Sequence, residues 1–158
     1  MDKMDAKGQL SVEYLLLTLV FLIIIGSVTI PLLVIPAINA SLDVSDTSQV
    51  SASINSITNA VGIVYANGPG SKRTINVFFP SNGTLAYNAE NSTIYMNVGL
   101  LSQNNTNNNT NNKTIDANVP IAVNINTATS KGVSKGNYNV TVTWANGASP
   151  ISIELVPS

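Results

Sequence analysis

Apolar and polar positions follow three regimes along the chain. Residues 14–38 carry no charge, and residues 15–25 are apolar apart from Thr18. At about 1.5 Å of rise per helical residue, residues 14–30 span roughly 25 Å, and continuing past Pro31 to Val34 or Ile35 reaches the ~30 Å of a bilayer core. A single membrane helix is predicted. The second regime is amphipathic: Val50, Ile54, Ile57, Val61 and Val64 recur at helical spacing with Ser, Thr and Asn between them, which predicts a helix over residues 42–65 with one face to bury. Gly26, Pro31 and Pro36 are weak points in the helical region. Each proline removes a backbone donor, so two helical halves are expected with a kink or local unwinding between them.

Asn67-Gly68-Pro69-Gly70 ends the helix, and beyond it the period falls to two. Ile75/Val77/Phe79, Ile94/Met96/Val98, Val119/Ile121/Val123/Ile125, Tyr138/Val140/Val142/Trp144 and Ile151/Ile153/Leu155 each read as a strand with one buried face. Ser81-Asn82-Gly83 reads as a hairpin connection into a short strand over residues 85–87, and Ala145-Asn146-Gly147 as a turn before the last strand. The asparagine-rich stretch 102–114 is too polar to bury and too long for a tight turn, so it is expected as an exposed loop. The expected fold class is α+β: a long kinked N-terminal helix over residues 9–66, then a small antiparallel β-sheet or sandwich head over residues 71–158.

Composition narrows the function. Of 158 residues 9% are charged and 44% hydrophobic, with a formal net charge of −1. Apart from Lys72-Arg73 the basic residues are scattered, so no nucleic-acid partner is expected. The chain has no cysteine and no histidine, which removes disulfides, thiolate sites, the commonest metal ligand and the commonest general base. No enzyme activity, metal or cofactor is expected. Asp43 and Asp46 lack further ligands for calcium, and a place near a helix N-terminus accounts for their charge. Tyr138, Trp144, Phe78 and Phe79 lie on alternating strands and are expected to pack rather than to bind a ligand.

An ordinary secretory signal places its cleavage site after the apolar core. Here the suggestive site precedes it: Lys7-Gly8-Gln9-Leu10-Ser11-Val12-Glu13-Tyr14 stands directly before the apolar run. This segment resembles the class III signal peptide of archaeal type IV pilins, in the Gln-x-Ser-x-Glu-Tyr form typical of methanogens and related archaea. The resemblance covers residues 7–30, and the β-rich remainder carries no motif of that family. It implies that a prepilin peptidase removes residues 1–8 by cutting between Gly8 and Gln9. It also implies that an assembly platform then stacks the helices of identical or related subunits into a surface pilus serving attachment.

In that family the glutamate at the position of Glu13 is proposed to pair with the α-amino group of a neighbouring subunit, here that of Gln9. Cyclisation of Gln9 would delete the amine and leave the hydroxyls of Ser11 or Tyr14 on adjacent subunits as donors. A place in the first helical turn would also favour the Glu13 charge locally.

N-x-Ser/Thr sequons stand at Asn39, Asn82, Asn91, Asn104, Asn108, Asn112 and Asn139, and the loop triplet 104/108/112 is the preferred place for glycans. Three alternatives remain. A conventional signal cut after Ala40 is opposed by the length of the apolar run and its prolines. A membrane-anchored extracellular β-domain, unprocessed or binding carbohydrate, leaves the octapeptide without a role. An archaeal flagellar filament protein would show a glycine- and threonine-containing start after the cut, which Gln9-Leu10-Ser11-Val12 lacks.

Overall fold

The computed structural model describes residues 6–101, 112–146 and 150–158, with side chains from residue 11 onward. Helix α1 covers Ala6–Thr29, a π-helical segment covers Ile30–Val34, and helix α2 covers Ile35–Asn67. Eight strands follow: β1 Lys72–Phe79, β2 Gly83–Asn88, β3 Thr93–Gly99, β4 Asn112–Asn118, β5 Val123–Ile125, β6 Ser130–Val133, β7 Gly136–Thr143 and β8 Ile151–Pro157. The fold is α+β, a long apolar helix followed by two small β-sheets.

The π-helical segment contains Pro31 and ends just before Pro36. A proline inside a helix leaves the carbonyl four residues back without its donor and crowds that turn. Widening the turn relieves the crowding without ending the helix. The N–H of Ile35 accordingly bonds the carbonyl of Ile30, five residues back instead of four. Gly26 lies within regular α1, upstream of this change.

The chain divides into two compact units, Met1–Ser41 and Leu42–Ser158. The division falls inside α2 and not at the helix–strand turn, because the amphipathic half of α2 belongs to the β core. Val50, Ile54, Ile57, Val61 and Val64 are all buried, with Ala60 beside them. Burying one such valine or isoleucine contributes roughly 1.5–3 kcal/mol. Ser53, a polar residue buried among them, satisfies its hydroxyl by donating to the carbonyl of Phe78 at 2.6 Å.

The first sheet has the order β1-β7-β8-β5 and the second β4-β3-β2-β6. Their inner faces join the α2 stripe in one core that includes Phe79, Leu85, Ile94, Met96, Val140 and Ile153. Strands β1 and β4 each end one sheet, and residues of α2 approach both. Ser53 bonds Phe78 on β1, while Val44, Thr47, Ser48 and Ser51 share a cleft of about 420 Å³ with residues 113–116 of β4.

Several expectations are corrected. Ser81-Asn82-Gly83 is not a hairpin turn: β1 and β2 lie in different sheets, and the tripeptide carries the chain from one to the other. The four-residue alternation beginning at Val119 yields only the three-residue β5, since Pro120 offers no ladder donor. β5 also pairs with β8 in parallel, so the first sheet is not wholly antiparallel.

The last residues of the expected loop 102–114 belong to β4, which pairs with β3 along its whole length. Residues 102–111 lie outside the described residues, as does Gly147 of the expected turn 145–147. Asp43 is not at a helix N-terminus, because α2 begins at Ile35. It is buried, and its Oδ1 accepts the backbone N–H of Leu101 at 2.6 Å.

Candidate functional site

No charge interrupts residues 14–42, and α1 leaves its large side chains uncovered: Leu15, Leu17, Phe21, Leu22 and Ile23 are each at least 60% exposed. The helical region from Ser11 onward is long and apolar enough to cross a membrane. Two of its hydroxyls turn inward on the backbone. Thr18 Oγ1 donates to the carbonyl of Tyr14 at 2.8 Å and Ser27 Oγ to that of Ile24 at 2.9 Å, so neither is an unsatisfied polar group in an apolar medium.

Gly8 and Gln9 sit in the α1 backbone, and the Gln9 side chain lies outside the described residues. Glu13, Ser11 and Tyr14 are all exposed. With α1 starting at Ala6, Glu13 lies about two turns inside the helix of the uncut chain, so the expected support from the helix N-terminus is absent there. Ser11 and Tyr14 share a shallow groove with Leu15, Thr18, Leu19 and Leu22. Glu13 is two residues from Ser11, hence about 200° around the helix at 3.6 residues per turn. The carboxylate therefore faces away from the Ser11 hydroxyl, and Tyr14, about 100° from Glu13, lies between the two around the helix.

Among the described residues no three acidic side chains gather into a group that could hold a metal ion. The strand aromatics mostly pack. Phe79 and Tyr138 are buried edge to face, with ring centroids 5.7 Å apart, and the Tyr138 hydroxyl accepts the N–H of Ser134. Half-buried Trp144 stacks on Tyr65, tying the end of β7 to the end of α2. Phe78 differs, being 37% exposed.

The sequons occupy distinct settings. Asn82 lies in the β1–β2 link, where its Oδ1 accepts the N–H of Lys135 at 2.8 Å. Asn91 is exposed in the β2–β3 turn, but Thr93, the hydroxyl residue of that sequon, is buried. Asn112 opens β4, Asn139 sits in the middle of β7, and Asn39 is helical. Asn104 and Asn108 lie outside the described residues.

Sequence patterns did not reveal the burial of Asp43, the Tyr65–Trp144 stack or the outward face around Asn139. Each depends on residues far apart in the chain. Compared with family models, curated proteins and solved structures, the chain matches none.

Proposed function

We propose that this chain is the precursor of a structural filament subunit of the type IV pilin kind, inserted in a membrane, cut between Gly8 and Gln9, and polymerised through its N-terminal helix. The observation that carries this reading is the pairing of Lys7-Gly8-Gln9 and Glu13 with a following uncharged helical run whose described large apolar side chains are exposed. So extensive an apolar surface needs a cover. Lipid supplies one before assembly. Many copies of the same helix, bundled along one axis, supply the other afterwards.

The opposed directions of Glu13 and Ser11 support a head-to-tail contact between copies, which generates an open helical array and not a closed dimer. Glu13 would meet the new α-amino group of Gln9 in the next subunit, so that cutting creates the partner for the charge. The β unit would face outward in the filament and serve attachment, without enzymatic activity. The sugar-binding alternative draws less support: among the described strand aromatics Phe78 alone is exposed, and a single ring is a poor platform.

Mass mapping of the mature protein together with electron microscopy tests the proposal. A chain beginning at Gln9 and found in filaments is the expected result. A start at Ser41 would mean a conventional signal peptide, and an intact Met1 in a detergent-soluble monomer would mean a permanent anchor.

A further inference from the structure

The outward face of the first sheet carries cross-strand ladders of hydroxyl and amide groups. Thr74 and Thr141 are hydrogen-bonded at 3.1 Å, and Asn76 Nδ2 donates to Asn139 Oδ1 at 3.2 Å. Register places two apolar side chains on the same face as Asn139. Val156 lies directly opposite it on β8, while Phe78 lies diagonally across on β1, two residues beyond its partner Asn76. Val156 is 49% exposed and Phe78 37%. Direct cross-strand neighbours stand about 5 Å apart and diagonal ones about 7–8 Å. An exposed asparagine is thus flanked by two of the few exposed apolar side chains of the β unit.

That asparagine opens the sequon Asn139-Val140-Thr141. Its hydrogen bond engages the oxygen of the amide and leaves the nitrogen unused. Asn82, the other described sequon asparagine with a side-chain bond, is likewise held through Oδ1. The described asparagines that donate through Nδ2 are Asn55, Asn76 and Asn126, none of which opens a sequon. N-glycosylation consumes one Nδ2 proton and keeps the carbonyl oxygen, so the bond from Asn76 survives it and orients the linkage.

We infer that Asn139 carries an N-linked glycan whose first sugar packs its C–H face over Phe78 and Val156. The transfer forms the bond from Asn139 Nδ2 to C1 of a polyisoprenyl-phosphate-linked oligosaccharide and breaks the bond from C1 to the phosphate oxygen. The lipid phosphate leaves, and a base of the transferase takes the displaced Nδ2 proton. In the folded unit β7 is paired on both sides, by β1 and β8, so the sequon is presented to the transferase before the strand pairs. The sugar then becomes the cover of an apolar patch that the protein itself leaves open. This inference rests on the proposed export of the β unit, though not on its polymerisation.

Peptide mass mapping of the protein purified from the cells that make it tests the attachment. The peptide containing Asn139 is expected to carry a sugar mass, lost in Asn139→Gln and in Thr141→Val. A bare Asn139 peptide overturns the inference, and a mature start at Gln9 in the same sample shows that the pilin reading outlives that failure. The packing is tested by Phe78→Ala in glycosylated protein and in the Asn139→Gln background. With the sugar present, the thermal midpoint is expected to fall by about 4 °C or more, and without it to move much less. Equal shifts in both backgrounds would mean that the sugar does not rest on Phe78.

Discussion

Asp43 Oδ1 accepts the backbone N–H of Leu101 at 2.6 Å, linking α2 to the residues that follow β3 across 58 positions of sequence. A buried carboxylate spent on a backbone donor is a structural clasp: it satisfies an amide beyond the end of a strand and ties that strand end to the helix.

Removing the clasp has a defined consequence. Asp43→Ala is expected to destabilise the β unit by about 1–3 kcal/mol, whereas Asp43→Asn, which keeps an oxygen acceptor, is expected to cost less. Thermal unfolding of the full chain in detergent, followed through the Trp144 signal, measures both. An alanine variant with an unchanged midpoint would show that the bond contributes nothing net.

The helical stripe offers a second test. Ile57 is fully buried, and Ile57→Ala is expected to cost about 2–5 kcal/mol through lost burial and the cavity left behind. Asn59 is exposed two residues on, and Asn59→Ala is expected to stay within about 0.5 kcal/mol. Chemical denaturation of the two variants side by side gives the comparison, and similar losses would contradict the burial of the stripe.

Asn126 holds a left-handed backbone at φ 48 and bonds Leu155 twice, accepting its N–H through Oδ1 at 2.9 Å and donating to its carbonyl through Nδ2 at 3.5 Å. These bonds extend the short parallel β5–β8 pairing by means of a side chain. Asn126→Gly keeps the backbone freedom and loses the bonds; Asn126→Ala loses both. Stability is expected to fall in the order wild type, glycine, alanine, with alanine down by about 1–3 kcal/mol. Alanine at or above glycine would refute the strain argument.

For the proposed assembly, Glu13→Ala is expected to leave membrane insertion and cutting after Gly8 intact while abolishing filaments. Fractionation, N-terminal mass and negative-stain microscopy of the variant provide the three readouts. Abundant normal filaments would remove Glu13 from the assembly contact.

What could be read from the chain alone was whatever a local period or a short motif encodes. The uncharged run, the stripe from Val50 to Val64 and the alternation in β1, β3, β7 and β8 each repeat one burial requirement over several residues, so they appear in the sequence. Lys7-Gly8-Gln9 and Glu13, on which the proposed cut and assembly rest, are legible because a short motif is wholly local. Tertiary structure decided the rest. β4 has only weak apolar alternation and becomes a strand by pairing with β3, while β5 is set in parallel by β8. Asp43 could be assigned its partner only once Leu101 was brought beside it, and Phe78, Asn139 and Val156 meet only because three strands distant in sequence share one face. Periodicity records how deeply a position is buried, but not which distant residue it will meet. That is settled by strand order and register, which belong to the folded chain as a whole.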